Sequence, residues 1–251
     1  MAKMSLKVVV MVLVLFVLVC DCCQKKEKKM ENSVKMDVFN LEVEKGHFIA
    51  NINGKRVIVD TGAPNSGGTF QSNIWGKVDK KISETGLLLK PIQQLSGISF
   101  DAIVGTDCLL KYNLTINLKE KKMVVTNNDV KEDGEIVPCR INWFIPELTL
   151  KIDGKEVPAF FDTGAIISYF PPETFDGLTP IGEYEDFFPI LGKFKTPLYI
   201  VDVQIGNMKT KAKAGILPFL LRASLAVTGT NAVFGNEIFD SYEVTFLNLQ
   251  K

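Results

Sequence analysis

Histidine is almost absent from this 251-residue sequence, which contains only His47, and no cysteines and histidines cluster at metal-ligand spacing. A nucleophilic serine or cysteine site would have no other histidine to use as its base. The place of His47 in an alternating strand predicts an ordinary surface side chain instead. We therefore expect neither a metal nor a cofactor.

Neither sign of charge is in excess, because 29 basic residues balance 29 acidic ones. No basic block stands beside interleaved aromatic residues, so the electrostatic footprint of a nucleic-acid-binding protein is missing. We expect no nucleic-acid partner. The length is sufficient for one large domain or two small ones.

Long hydrophobic runs are also scarce. The run from Val8 to Val19 follows Lys3 and Lys7, and it is shorter than the roughly 20 residues that a membrane-spanning helix needs. These features predict an export signal over residues 1–19. Cys20 follows directly and resembles the lipidated cysteine of bacterial lipoproteins, which implies a lipid anchor to a bacterial membrane on the periplasmic or cell-surface side. An uncleaved anchor and an ordinary signal peptide remain alternatives.

Residues 20–35 are rich in lysine and glutamate and have little to bury, which predicts a solvated polar tether. Beyond the tether the only cysteines are Cys108 and Cys139. An exported protein can oxidise such a pair, but no motif links the two, so we favour separate burial over a disulfide.

What the sequence does contain is a repeated tetrapeptide. Asp60-Thr61-Gly62-Ala63 recurs 102 residues later as Asp162-Thr163-Gly164-Ala165. Before each copy, residues 52–57 (INGKRV) match residues 152–157 (IDGKEV). A duplicated unit explains both matches, so we predict two similar lobes, 36–130 and 137–251, that bring the two aspartates into one site.

The pattern around both copies is that of β-strands. Apolar and polar residues alternate, and the turn dipeptides Asn53-Gly54 and Asp153-Gly154 predict hairpins. A short apolar strand that ends in glycine follows each tetrapeptide, Ala102–Gly105 in the first half and Ala232–Gly235 in the second. We therefore predict an all-β protein whose halves share these landmarks in the same order.

These residues together resemble the aspartic proteases of the pepsin and retropepsin type. Asp-Thr-Gly-Ala is the form of the motif that is typical of retropepsins, and each half is about as long as one retropepsin subunit. The resemblance covers about residues 36–251 and implies two similar closed-barrel lobes with the active-site cleft between them. Because both halves lie in one chain, we expect a monomer, with an obligatory dimer as the weaker alternative.

The resemblance implies that Asp60 and Asp162 form a catalytic dyad. Two carboxyl groups held close together cannot both ionise easily, so the pair keeps one proton and provides a base and an acid at once. The other motif residues would support the dyad through a hydrogen-bonded grip by the threonines and tight loops at the glycines: Thr61, Gly62, Ala63, Thr163, Gly164 and Ala165. Pepsin-like proteins often have a hydroxyl residue where this chain has alanine, so we expect activity at mildly acidic to near-neutral pH.

The two halves differ in the length of chain after the tetrapeptide. Asp60 is 45 residues from Gly105, whereas Asp162 is 73 residues from Gly235. The first half has too little chain for the usual flap. Residues 183–197 of the second half, which carry several aromatic side chains, are a candidate for a one-sided cover, whereas Phe70 and Trp75 fit the core better.

The sequence therefore favours an aspartic endopeptidase that acts on a peptide or protein substrate. The alternative is a non-catalytic binding module on the same two-lobed scaffold, which would explain the missing first-lobe flap. A binding module has no physical need for two adjacent acids, and for this reason the enzyme is the leading hypothesis.

Overall fold

A computed structural model describes residues 35–80, 89–130 and 134–248 of the chain. The predicted export signal (1–19), the lipidation residue Cys20 and all of the tether except Lys35 lie outside these residues. Within the described ranges, no helix is long and apolar enough to cross a bilayer.

The first half of the chain folds mainly into β-strands, joined by tight turns. Two short helices, α1 (Leu89–Ser96) and α2 (Thr106–Leu109), stand before and after β6. The strands are β1 (Met36–Glu44), β2 (His47–Ile52), β3 (Lys55–Val59), β4 (Gly67–Ser72), β5 (Gly76–Lys80), β6 (Ala102–Val104), β7 (Asn113–Asn117) and β8 (Lys122–Thr126).

The second half repeats this plan with longer strands in its middle. It also contains helix α3 (Phe219–Val227) and two 3₁₀ helices, Pro172–Phe175 and Asn236–Asp240. The strands are β9 (Cys139–Asn142), β10 (Ile145–Ile152), β11 (Lys155–Phe161), β12 (Ser168–Tyr169), β13 (Gly182–Phe188), β14 (Gly192–Ile205), β15 (Met208–Gly215), β16 (Ala232–Phe234) and β17 (Val244–Phe246).

The described strands form two sheets, which confirms the predicted all-β, two-lobed fold class. The first sheet has the order β17-β7-β8-β1-β2-β3-β6-β4-β5, and the second has the order β13-β14-β15-β12-β16-β11-β10-β9. In the second lobe the ladder closes on itself, because β10 pairs with β14 as well as with β11.

The predicted hairpin turns are present in both lobes. Asn53 and Asp153 adopt φ values of 51° and 49°, and each is followed by a glycine with positive φ. Asparagine, aspartate and glycine tolerate this left-handed conformation, so the turns fix the register of β2 with β3 and of β10 with β11.

The two lobes share one hydrophobic core. Phe48 of β2 meets Phe239 edge to face with ring centroids 5.1 Å apart, and Phe161 contacts Phe246 at 5.1 Å. The last strand of the chain, β17, pairs with β7 of the first sheet. Each lobe is therefore held to the other by aromatic packing and by a shared sheet edge.

Two single-residue expectations have different outcomes. No disulfide joins Cys108 to Cys139, as favoured from the sequence, but separate burial holds only for Cys108, which lies in the core, while Cys139 is half-buried. The prediction of a surface position for His47 is wrong, because its side chain is only 8% exposed. The alternating pattern placed His47 correctly on a strand, but the face it occupies is covered by a segment from the other lobe.

Candidate active site

Each aspartate of the repeated tetrapeptide stands directly after a strand that is paired in parallel with the glycine-ending strand. β3 pairs with β6, and β11 pairs with β16. The pairing continues into the loop, because the Asp60 N–H donates to the Val104 carbonyl (3.1 Å) and the Asp162 N–H donates to the Phe234 carbonyl (2.9 Å). Both aspartates are therefore anchored through their own backbone.

The two loops face each other closely at the glycines. A Cβ atom on Gly62 would lie 2.3 Å from the carboxyl carbon of Asp162, and one on Gly164 would lie 2.7 Å from that of Asp60. Any side chain at either position would collide with the opposite carboxyl group. Glycine also lets the loop N–H groups turn inward, so that Gly62 and Gly164 each donate to their own loop's aspartate at 2.8 Å.

The carboxyl groups of Asp60 and Asp162 are close enough for each to act on the pKa of the other. Burial raises the pKa of Asp60 well above its ordinary value, and the charge of Asp162 raises it further. Burial also raises the pKa of Asp162, although the N–H of Gly164 opposes this shift. The pair therefore retains a proton to higher pH than two separate aspartates would, and its titration belongs to both residues together.

A reciprocal set of hydrogen bonds ties the two loops together beneath the carboxyl groups. The Thr61 hydroxyl donates to the Phe161 carbonyl (2.6 Å) and accepts from the Thr163 N–H (2.9 Å). The Thr163 hydroxyl donates to the Val59 carbonyl (2.9 Å) and accepts from the Thr61 N–H (2.9 Å). Neither threonine has any exposed surface, so these bonds are protected from competition by water.

A second feature that both lobes share was missed in the sequence, a serine that is hydrogen-bonded to the glycine N–H and to an acid. The Ser66 hydroxyl accepts from the Gly105 N–H (3.0 Å) and donates to the carboxylate of Asp107 (2.6 Å). In the second lobe Ser168 accepts from Gly235 (3.0 Å) and donates to Glu237 (3.2 Å). The signal was present, because each serine stands six residues after its aspartate and each acid stands two residues after its glycine.

The two acids of this element differ in how well they are satisfied. Asp107 accepts from both the N–H and the hydroxyl of Ser66. Within the described part of the chain, Oε1 of Glu237 is a buried oxygen with no hydrogen-bond partner. Burial raises the pKa of Glu237 from its ordinary 4.5 to about 7, so a proton on this group is retained near neutral pH.

Residues 183–197, which the sequence singled out as a candidate for a one-sided cover, form a hairpin of β13 and β14 in the second lobe. Its outer face carries the ion pairs Glu185–Lys193 and Glu183–Lys195. Its inner face carries Asp186, which accepts a hydrogen bond from the buried Tyr169 hydroxyl. The charge of Asp186 also acts on Asp162, which places this inner face beside the dyad.

The hairpin reaches across to the first lobe through Phe187. This side chain packs against a cluster that we call the first-lobe apolar patch: Ile49, Ile58, Ala63, Ile92, Ile98, Phe100 and Ile103. Its ring also lies 6.4 Å from that of His47. Among the described residues of the first lobe no hairpin corresponds to β13–β14, and Phe70 and Trp75 pack in the core.

Comparisons with known proteins give little beyond this geometry. No family model and no curated protein matches the chain. Among solved structures, the protease of simian foamy virus (mac) is 18% identical, with 36% of this chain and 86% of that chain covered and a TM-score of 0.27. A foamy viral protease-reverse transcriptase in complex with an RNA/DNA hybrid is 20% identical, with 38% of this chain and 12% of that chain covered and a TM-score of 0.30. At these values the function has to be judged from the site itself.

Proposed function

We propose that this chain is an aspartic endopeptidase in which Asp60 and Asp162 act as one catalytic pair. The observation that carries the proposal is the close approach of the two aspartate loops, each glycine packed against the opposite carboxyl group, with the loops joined by the hydrogen bonds of Thr61 and Thr163. A scaffold that only binds a partner has no need to bury two acids against each other, because their mutual repulsion is unfavourable for folding.

The chemistry follows from the single proton that the pair retains. The ionised carboxylate takes a proton from a water molecule. At the same time the water oxygen attacks the peptide carbonyl carbon. The protonated carboxyl group gives its proton to the carbonyl oxygen, which forms a neutral tetrahedral diol. The carboxyl group that now holds the proton gives it to the amide nitrogen, while the other carboxylate takes a proton from a diol hydroxyl. The carbon–nitrogen bond breaks, an amine and a carboxylic acid are released, and the pair again holds one proton.

We further propose that the substrate is an extended peptide segment with apolar flanks, bound beneath the β13–β14 hairpin. The hairpin offers backbone groups for strand addition, and the first-lobe apolar patch offers a surface for a large apolar side chain. The Phe187 side chain occupies this surface in the absence of substrate, so a bound peptide would have to displace it.

Peptide cleavage by the purified chain tests the proposal. Wild type, Asp60→Asn and Asp162→Asn are incubated with a mixed peptide library over a range of pH, with the exposed Asp202→Asn as the matched control. We expect each dyad substitution to lower the rate by at least about 10²–10⁴-fold and the control to match wild type. Cleavage that survives either dyad substitution contradicts the mechanism, and inactivity of wild type at every pH favours the binding module.

We also propose that the protein is exported and held at a bacterial membrane by a lipid on Cys20. This proposal rests on the apolar run at 8–19 that precedes the cysteine. Expression in a bacterial host with a labelled fatty acid should label wild type and Cys22→Ala but not Cys20→Ala. A label that persists in Cys20→Ala would contradict lipidation at this residue.

A further inference from the structure

His47 stands at a point where three parts of the molecule meet. It is the first residue of β2 and follows a turn that is fixed against the second lobe. Asn236 donates to the Gly46 carbonyl (2.9 Å), and a Cβ atom on Gly46 would lie 2.7 Å from Ile166. Because this turn cannot move away from the second lobe, the His47 side chain is directed into the space between the lobes.

The imidazole ring contacts both the cover and a catalytic loop. The ring lies 6.4 Å from that of Phe187 on the hairpin, and the charge of Asp186 on the same strand and the backbone of Gly164, two residues after Asp162, both act on its pKa. It therefore joins the first lobe to the hairpin and to the second catalytic loop at once.

The hairpin is fastened on its other side within its own lobe. The Tyr169 hydroxyl donates to Asp186, and the Tyr169 ring lies 6.1 Å from that of Phe194 on β14. Asp186 thus stands between Tyr169 of the second lobe and His47 of the first. The groups that face His47 from the packed elements are Asp186 and the Gly164 backbone, with the dyad beyond them.

An ordinary core position would not require this residue. Burial is the largest influence on the pKa of His47 and lowers it, and the interactions with Asp186 and Gly164 oppose that effect. An apolar side chain of similar size would fill the same space without the desolvation cost. Polar contacts on two sides of one buried ring are the feature that packing alone does not explain.

We propose that His47 is a positioning residue of the proposed protease, which fastens the second-lobe hairpin to the first lobe through Asp186 and Phe187 and to the Asp162 loop through Gly164. In this way one lobe's hairpin covers a site that both lobes build. The inference rests on the proposed function for its role in cleavage, but the fastening itself is measurable without any activity.

Hydrogen exchange of the full chain without substrate tests the fastening. His47→Phe keeps the ring beside Phe187 and removes the polar contacts, and Asp186→Asn removes the charge on the other side. We expect amides of residues 182–198 to exchange roughly tenfold faster in both variants, with β10 and β11 unchanged. His47→Gln, which keeps an N–H donor, should be intermediate.

The matched control is Glu185→Gln, which makes the same charge change one residue away on the outer face and should exchange as wild type. Unchanged exchange over 182–198 in His47→Phe, or equal acceleration over all strands, would overturn the proposal. If wild type also cleaves peptide, His47→Phe should change KM about tenfold with little change in kcat, because the fastening positions the hairpin that binds the peptide and not the two carboxyl groups that react. A chain that shows the exchange effect without cleavage would retain the fastening and lose the proposed function.

Discussion

The two lobes differ most in the chain that connects the aspartate loop to the glycine-ending strand. In the first lobe this connection contains β4, β5 and α1, and in the second it contains the long strands β13, β14 and β15. Among the described residues of the two connections, the second builds a hairpin that reaches the other lobe through Phe187. The lobes therefore differ in the described segments that lie near Asp60 and Asp162.

The lobes are alike where the reacting groups are held. The aspartate loop, the threonine grip, the glycine contact and the serine beneath each loop all occur twice. Two carboxyl groups that act on each other's pKa by proximity need to be held by equivalent loops, since a shift of one loop would separate them. A hairpin that lies over the site does not have to occur in both lobes.

The largest expected loss of unfolding free energy tests whether the hydrogen bonds of Thr61 and Thr163 contribute equally. In Thr61→Val and Thr163→Val the side-chain shape is kept, but one N–H and one carbonyl are left buried without a partner. We expect each variant to lose about 2–5 kcal/mol of unfolding free energy, at roughly 1–3 kcal/mol per unsatisfied group. Urea unfolding of both variants measures the loss.

The serine variants at the same positions are the control, since Thr61→Ser and Thr163→Ser keep the hydroxyl and remove one methyl group. Each should lose only about 1 kcal/mol. A large loss at one threonine and none at the other would show that the two loops do not depend on each other equally.

The next prediction concerns Asp107 and Glu237, the acids that accept hydrogen bonds from Ser66 and Ser168. Their substitution should change the unfolding free energy in opposite directions. Asp107→Asn weakens two charge-assisted hydrogen bonds to Ser66, so unfolding free energy should fall by about 1 kcal/mol. Glu237→Gln removes a carboxyl group with an unpartnered buried oxygen, so unfolding free energy should rise above pH 7. Unfolding curves recorded as a function of pH compare the two.

The pH dependence of the Glu237 effect follows from its pKa, which is about 7 in the folded chain against an ordinary 4.5. As pH rises through this window the unfolded chain releases the proton first, so stability falls by at most about 3 kcal/mol. The Gln variant has no proton to release at this position, so the unfolding free energy of the variant relative to wild type should increase over this window. A difference that stays constant between these pH values would contradict the assignment.

The sequence was a good guide wherever a feature was repeated. Asp60 and Asp162, their turns and their glycine-ending strands were located by offset alone, and Ser66 with Ser168 would have been found by extending the same comparison. Prediction failed for His47 because Phe187, which packs beside it, lies more than a hundred residues away in the sequence. Alternation of apolar and polar residues predicts which face of a strand a side chain occupies. It does not predict which other segment packs on that face.

The smallest expected effect is a shift in the pH dependence of cleavage when Ala63 or Ala165 is replaced. The two lobes differ in the exposure of these alanines. Ala63 is 6% exposed in the first-lobe apolar patch, whereas Ala165 is half-buried. A serine hydroxyl at either position can donate to the ionised carboxylate, which favours that form and lowers the pKa of the pair. The acidic limb of kcat/KM against pH should therefore move to lower pH, more readily in Ala165→Ser, where the new hydroxyl does not enter the patch. Ala165→Cys, similar in size but a weak donor, should leave the limb in place, and a shift to higher pH in the serine variant would contradict the role of the missing hydroxyl.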